Sequence, residues 1–427
     1  MAENGRTVII GLDGVPYEML KHFADTGVMP NTAEIISQGI FRQMSSSVPE
    51  ISSVAWSCVI TGKNPGEHGT YGFVDLLPGS YRMRFPNFTD LKAQPFWDQW
   101  QGKSIIVNVP STYPVRPMNG VHISGFVSID LDKSVYPTSL ITELGKVDYR
   151  LDVNSDLAHK NMDLFLQDVD NTLAARVKAG RYLWDYTDWR TFMFVFTGTD
   201  RLMHFLWDAY EDTKHKYHYL FCDHFKKIDA AIGEMVHKMN DGDLLVMLSD
   251  HGFERIDYDV FLNYLLIERG LLKFRQGEDI SLNSIAEGTK AFVLDPGRVF
   301  VNYRDKYPCG SVERSEAEEV IAELKELFAS LEVDGRKVIR SIYRKEQIYS
   351  GPYVDGAADL IMVGDDRFNL KASIKPKHLA GRGIFTGKHT QDTAFLVVRG
   401  IADEGVIPEK PAVSDVRGII EQSKSRA

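Results

Sequence analysis

Thr7-Val8-Ile9-Ile10-Gly11-Leu12-Asp13-Gly14, in one-letter form TVIIGLDG, is a short apolar run that ends in a carboxylate and a glycine. It is too short for an ordinary helix and has the length and side chains of a strand. It lacks polar alternation, which suits a strand covered on both faces, as in a parallel sheet between helices. Four further runs share this character: Ser104–Val109, Thr191–Phe196, Asp243–Leu248 and Thr393–Val398. Between them, Met162–Ala179 and Asp223–Met239 carry apolar residues at three- and four-residue spacing and predict amphipathic helices. Strands alternating with helices predict an α/β class: a doubly wound, mostly parallel sheet flanked by helices.

Residues 255–380 read differently. Gly and Pro breaks separate a charged helical stretch, Ser315–Leu331, from strand-like pieces such as Ala291–Leu294 and Leu360–Val363. This predicts a small α+β cap inserted into a core made of residues 1–254 and 381–427. A chain of 427 residues has room for such a core and its insertion.

The formal net charge of −10 argues against a module that binds nucleic-acid polymers. Cys58, Cys222 and Cys309 are far apart and show no CxxC spacing, so neither a disulfide framework nor a thiolate zinc site is expected. No apolar run approaches the roughly 20 residues that span a bilayer. The start, MAENGRTVIIGLDG, lacks the pattern of a secretory signal, which sets the expectation of a cytoplasmic protein.

Open α/β sheets bind ligands beyond the carboxyl ends of their strands. The first run ends in Asp13-Gly14, the Thr191–Phe196 run is followed by Thr197-Gly198-Thr199-Asp200, and the Asp243–Leu248 run leads to Ser249-Asp250-His251-Gly252. Singly these are ordinary: a turn, a helix cap, a polar loop. Together they bring three carboxylates to one sheet edge, where they would repel each other unless protonated or neutralised. Divalent cations are the economical counter-charge. His204, four residues after Asp200, would share its helix face. Asp oxygens with His nitrogens suit zinc, and also manganese, iron or cobalt. A nucleophile is sought in Pro49-Glu50-Ile51-Ser52-Ser53-Val54-Ala55-Trp56, where a helix is predicted from Ser52 to Ile60. A serine there is either a cap or a hydroxyl held at the positive end of a helix, where a metal could ionise it.

These segments resemble the alkaline phosphatase superfamily, in its type I phosphodiesterase/nucleotide pyrophosphatase-like branch. The carrying stretches are VIIGLDGVPYEML, SSVAWSCVITGKNPGEHGTYGF, TGTDRLMH, SDHGF and GIFTGKH, in that order along the chain. The resemblance implies two divalent cations, zinc first and manganese second. One would be held by Asp200, His204 and His389, the other by Asp13, Asp250 and His251 with the Ser52 oxygen. His389 enters only through this resemblance. The resemblance also favours Ser52 over Ser53 as nucleophile, because Ser52 stands nine residues before Thr61. It implies hydrolysis of a small-molecule phosphate ester through a phosphoserine intermediate. Phe73 stands where that branch carries an Asn that helps hold the phosphoryl oxygen, which puts a nucleotide substrate in doubt. Lys63, Asn64 and Lys388 are candidate substrate contacts by position alone. The rival readings are a phosphomonoesterase or phosphomutase of the same superfamily and, from another class, a metal-binding module without turnover.

Overall fold

The Thr7–Leu12 strand is buried along its whole length and lies inside an eight-stranded sheet of the computed structural model, which describes residues 5–425. In chain order the strands are β1 (Thr7–Leu12), β2 (Ile40–Met44), β3 (Ser104–Val109), β4 (Gly120–Ser124), β5 (Val135–Tyr136), β6 (Thr191–Phe196), β7 (Leu244–Leu248) and β8 (Ala394–Arg399). They lie side by side as β2-β8-β7-β1-β6-β3-β4-β5. The neighbours β7, β1, β6, β3 and β4 are mutually parallel, while β8 and β5 run against the strands they pair with. The class expected from the sequence, an α/β sheet of mostly parallel strands between helices, is the class observed.

Both faces of the sheet are covered, so the runs read as continuous rather than alternating. Val8, Ile10 and Leu12 face one core together with the helices Tyr17–Asp25, Met162–Trp184, Gly198–Glu211 and His218–His237. Ile9, on the other face, packs with Val54, Trp56 and Val59 of the Ser52–Thr61 helix and with Ile419 and Ile420 of the last helix. Each such side chain, fully buried, contributes about 1.5–3 kcal/mol.

The Thr393–Val398 run forms a strand shifted by one residue, Ala394–Arg399, and it is antiparallel to β7. The local cause is visible. Gly387–Thr390 pairs with Gly252–Arg255, just past the carboxyl end of β7, so the chain enters β8 from that edge and must run back. The short strands β2, β4 and β5 carry no long apolar run, so nothing in their sequence announces them.

The chain divides into two compact units. The first holds the eight-stranded sheet and comprises residues 1–63, 87–254 and 384–427. The second comprises residues 64–86 and 255–383. Its four-stranded antiparallel sheet runs Ala291–Leu294, Arg298–Val301, Leu360–Gly364, Ile339–Arg344. The helix Ala317–Ala329 buries Val320, Ile321, Leu324 and Phe328 within this unit. Residues 64–86, read with the core from sequence, belong here. They are tied in by Tyr81 Oη donating to Asn302 Oδ1 at 2.7 Å and by the buried Arg298 guanidinium donating to the Val74 carbonyl at 2.6 Å. Phe73 lies in this segment. Among the described residues no helix is long and apolar enough to cross a membrane.

Candidate metal centre

The strand register delivers the acids. In the β1–β7 pair Gly11 stands opposite Leu248, so carrying the register on two residues sets Asp13 level with Asp250. The N–H of Asp13 still donates to the Phe196 carbonyl at 3.1 Å, which ties it to the end of β6. From there the chain turns into the Gly198–Glu211 helix, whose first turn carries Asp200. Gly14 is required after Asp13. Its φ is +75°, and a Cβ would meet the His251 and Phe253 rings at 3.1–3.2 Å. Its N–H donates to Asp250 Oδ1 at 3.1 Å.

Asp13, Asp250 and His251 are all buried, and their ligand atoms lie within 4.8 Å of one another. Ser52, the first residue of its helix, joins them: its Oγ is 3.3 Å from Asp13 Oδ1 and 3.1 Å from His251 Nε2. The helix cap position is Ile51, and the Ser52 side chain makes no capping bond. Ser53 Oγ, in contrast, is buried and makes no hydrogen bond. Beside this set, His389 Nε2 is 3.0 Å from Asp200 Oδ1 and 3.1 Å from His204 Nε2. His204 Nε2 is 3.4 Å from the same Asp200 oxygen. The His251 and His389 rings stack at a centroid distance of 3.7 Å, so the two sets adjoin.

The far side of each ring is held by a backbone carbonyl. His204 Nδ1 lies 3.0 Å from the Gly387 carbonyl, His251 Nδ1 3.0 Å from the Gly252 carbonyl, and His389 Nδ1 2.8 Å from the Glu50 carbonyl. A carbonyl only accepts, so each Nδ1 carries a proton, and Nε2 is the nitrogen left to act as a ligand when the ring is neutral. Burial favours the neutral form of two of these rings, lowering His204 to about 4 and His251 well below its ordinary value. Three Nε2 atoms thus converge on carboxylate oxygens. Asp250 Oδ2 is buried there without a hydrogen-bond donor. Burial, then the Asp250 and Asp200 charges, push Asp13 up, and burial pushes Asp250 up to about 7. Acceptors packed against acceptors repel unless protonated or neutralised by a cation, and this donor set, Asp oxygen with His nitrogen, fits zinc or manganese.

All seven residues expected around the cations, Asp13, Ser52, Asp200, His204, Asp250, His251 and His389, thus gather in the first unit. The three substrate-contact candidates have settings of their own. Lys388, next to His389, is buried and paired with Glu254 at 2.8 Å. Asn64 caps the short Pro65–His68 helix of the second unit. Lys63 lines a cavity of about 540 Å³ with Thr61, Gly62 and Arg417, and none of the seven lines it.

Other residues of the site were not read from sequence. Trp56 Nε1 donates to Asp13 Oδ2 at 3.3 Å, and Arg201 lies 3.4 Å from Asp200 Oδ2. Arg201 adjoins Asp200 inside TGTDRLMH and could have been flagged by that adjacency. Thr386 gives no such signal. Its N–H donates to the His204 carbonyl at 2.8 Å, and its Oγ1 accepts from the Trp207 N–H at 2.8 Å. That insertion into the helix ladder accounts for the kink at Leu206, where φ is −136° and ψ 31°.

The sequence pattern described as type I phosphodiesterase / nucleotide pyrophosphatase matches residues 7–392, a span that includes all seven gathered residues. No curated protein sequence matches at a significant level. Among solved structures, phosphonoacetate hydrolase from Sinorhizobium meliloti 1021 in complex with phosphonoformate is 15% identical, with a TM-score of 0.63 over 99% of this chain and 96% of that one. Murine ectonucleotide pyrophosphatase/phosphodiesterase 5 is 12% identical, with a TM-score of 0.54 over 98% of this chain and 95% of that one. At such identities the likeness is one of fold, and it agrees with the strand arrangement described above.

Proposed function

The chain belongs to the type I phosphodiesterase/nucleotide pyrophosphatase family, within the alkaline phosphatase superfamily, and we propose that it hydrolyses a small phosphate ester with two divalent cations and Ser52 as nucleophile. Phosphoester hydrolysis is the family's chemistry. The observation that carries the finer reading is the meeting of three Nε2 atoms, each with its Nδ1 held on a carbonyl, with the Asp13, Asp200 and Asp250 carboxylates.

Asp200, His204 and His389 would hold one cation, and Asp13, Asp250, His251 and the Ser52 oxygen the other. A cation pair so held would lower the hydroxyl's pKa and offset the negative charge that builds on the phosphoryl oxygens. The chain's own groups do the rest. Trp56 and the Gly14 N–H fix the carboxylates of Asp13 and Asp250 by hydrogen bonds. The Nδ1–carbonyl bonds aim the three rings. Ser52, at the first position of its helix, places its oxygen at the positive end of the helix dipole, beside N–H groups that have no intrahelical partner. In the first half-reaction a bond forms from Ser52 Oγ to phosphorus as the bond to the ester oxygen breaks, and the leaving oxygen ends protonated. In the second, water forms the new bond to phosphorus and Ser52 Oγ departs. Two loops at the same sheet edge, Asn108–Pro114 and Ser124–Asp130, are assigned to substrate selection. They are joined by Ser111 N–H donating to the Phe126 carbonyl and Gly125 N–H to the Val109 carbonyl, both at 3.0 Å.

Exhaustive chelation is expected to abolish turnover of bis-p-nitrophenyl phosphate, and zinc or manganese to restore it. Full activity in metal-free protein would sink the mechanism. Assaying p-nitrophenyl phosphate and phosphonoacetate in parallel sorts the class. Preference for the diester supports the reading, preference for the monoester points to a phosphatase, and bound metal without turnover points to a binding module.

A further inference from the structure

Arg201 takes no part in the steps above, yet its surroundings are specific. The side chain is 14% exposed and lies between two carboxylates, with Nη2 at 3.1 Å from Asp152 Oδ2 and Nη1 at 3.4 Å from Asp200 Oδ2. Its guanidinium carbon sits 3.8 Å from the centre of the Phe126 ring. The two oxygens of Asp200 are therefore divided. Oδ2 faces Arg201, while Oδ1 faces His389 Nε2 at 3.0 Å and His204 Nε2 at 3.4 Å. A carboxylate with both oxygens unclaimed can rotate and bind a cation through one or both. A planar guanidinium held from behind by a second carboxylate and an aromatic face removes that freedom.

Resting on the two-cation reading, we propose that Arg201 is a positioning residue: anchored by Asp152 and Phe126, it reserves Asp200 Oδ2 and so presents Oδ1 alone to the cation shared with His204 and His389. The Phe126 contact also connects the Ser124–Asp130 loop to that cation. A purely electrostatic role makes the opposite demand. A positive group this near a cation site repels the cation, and Asp152 cancels most of that field. Net charge and orientation must therefore be separated.

Replacing both members, Asp152→Asn with Arg201→Met, leaves the net charge unchanged and removes the guanidinium. Calorimetric zinc titration of the metal-free full chain is expected to show two sites in the wild type. In the double variant one site should weaken by about 10–100-fold, as loss of an outer-shell partner does elsewhere, and the other should be unchanged. The visible spectrum of the cobalt-loaded protein should shift as Asp200 gains the freedom to bind through both oxygens. Arg201→Lys, which keeps the charge but not the fork, should fall between. If the double variant does not fold, Phe126→Leu decides, since it keeps every charge and removes only the stacked face. It should weaken the same site by a smaller factor. Wild-type affinities and an unchanged cobalt spectrum in the folded variants overturn the proposal. A wild type that binds no zinc overturns the two-cation reading itself, a distinct result.

Discussion

Ser52 and Ser53 are neighbours with opposite surroundings. Ser52 Oγ touches Asp13 and His251, whereas Ser53 Oγ is buried without a partner. Chemistry on one of them should be nearly indifferent to the other. Ser52→Ala is expected to lower kcat on the diester by about 10³-fold or more, with metal content retained, because the displacement loses its attacking atom. Ser53→Ala should stay within a few-fold of wild type. The reverse pattern would move the nucleophile to Ser53. Spacing to Thr61 picked out Ser52 only through family resemblance, because two adjacent serines at a helix start look alike by composition. Asp13, Asp200 and Asp250 are legible without it, since each lies within four residues of the end of an apolar run.

The Gly198–Glu211 helix shows how an element can be shaped from a distance. Its kink is made by Thr386, which takes over the His204 carbonyl and the Trp207 N–H and so fixes His204 beside the strand that carries His389. Thr386→Val keeps the shape and removes the acceptor, leaving the Trp207 N–H without it. Urea unfolding should show a loss of about 1–3 kcal/mol. An unchanged midpoint would mean that the bond does not hold the kink. The sequence TGTDRLMH reads as an unbroken helical start, and nothing in it announces the bend. Strand β8 has the same lesson. Its apolar run announces a strand, but its direction follows from the edge at which the chain re-enters, and direction is what brings His389 to the carboxylates.

Global stability should carry the mark of a buried histidine that is not among the seven residues of the metal centre. His122, on β4, is 1% exposed, stands 5.6 and 5.4 Å from the Phe88 and Trp97 ring centres, and has no hydrogen-bond partner at either nitrogen. Burial, with a smaller push from Arg116, lowers its pKa from 6.5 to about 3. Above pH 6.5 folded and unfolded states are both neutral there, and the group contributes nothing to pH dependence. As pH falls below 6.5 the unfolded chain takes the proton and the folded chain does not. Stability should therefore drop by about 1.4 kcal/mol per pH unit from this group, down to about pH 3. Urea midpoints of metal-free protein between pH 7 and 5 would show it. In His122→Leu the slope should be shallower by about one proton, and an equal slope would refute the assignment.

Layer architecture and three of the acids are properties of short stretches. Burial on both faces selects uninterrupted apolar side chains, and the residue after such a run stands at the sheet edge whatever else the chain does. The remaining features join groups that no local pattern relates. The His389 ring is aimed by the Glu50 carbonyl 339 residues earlier, Asp200 is bridged through Arg201 to Asp152, and Thr386 bends a helix nearly two hundred residues away. Hydrogen bonding and charge pairing are set by distance in space, and only the folded chain brings those partners within reach.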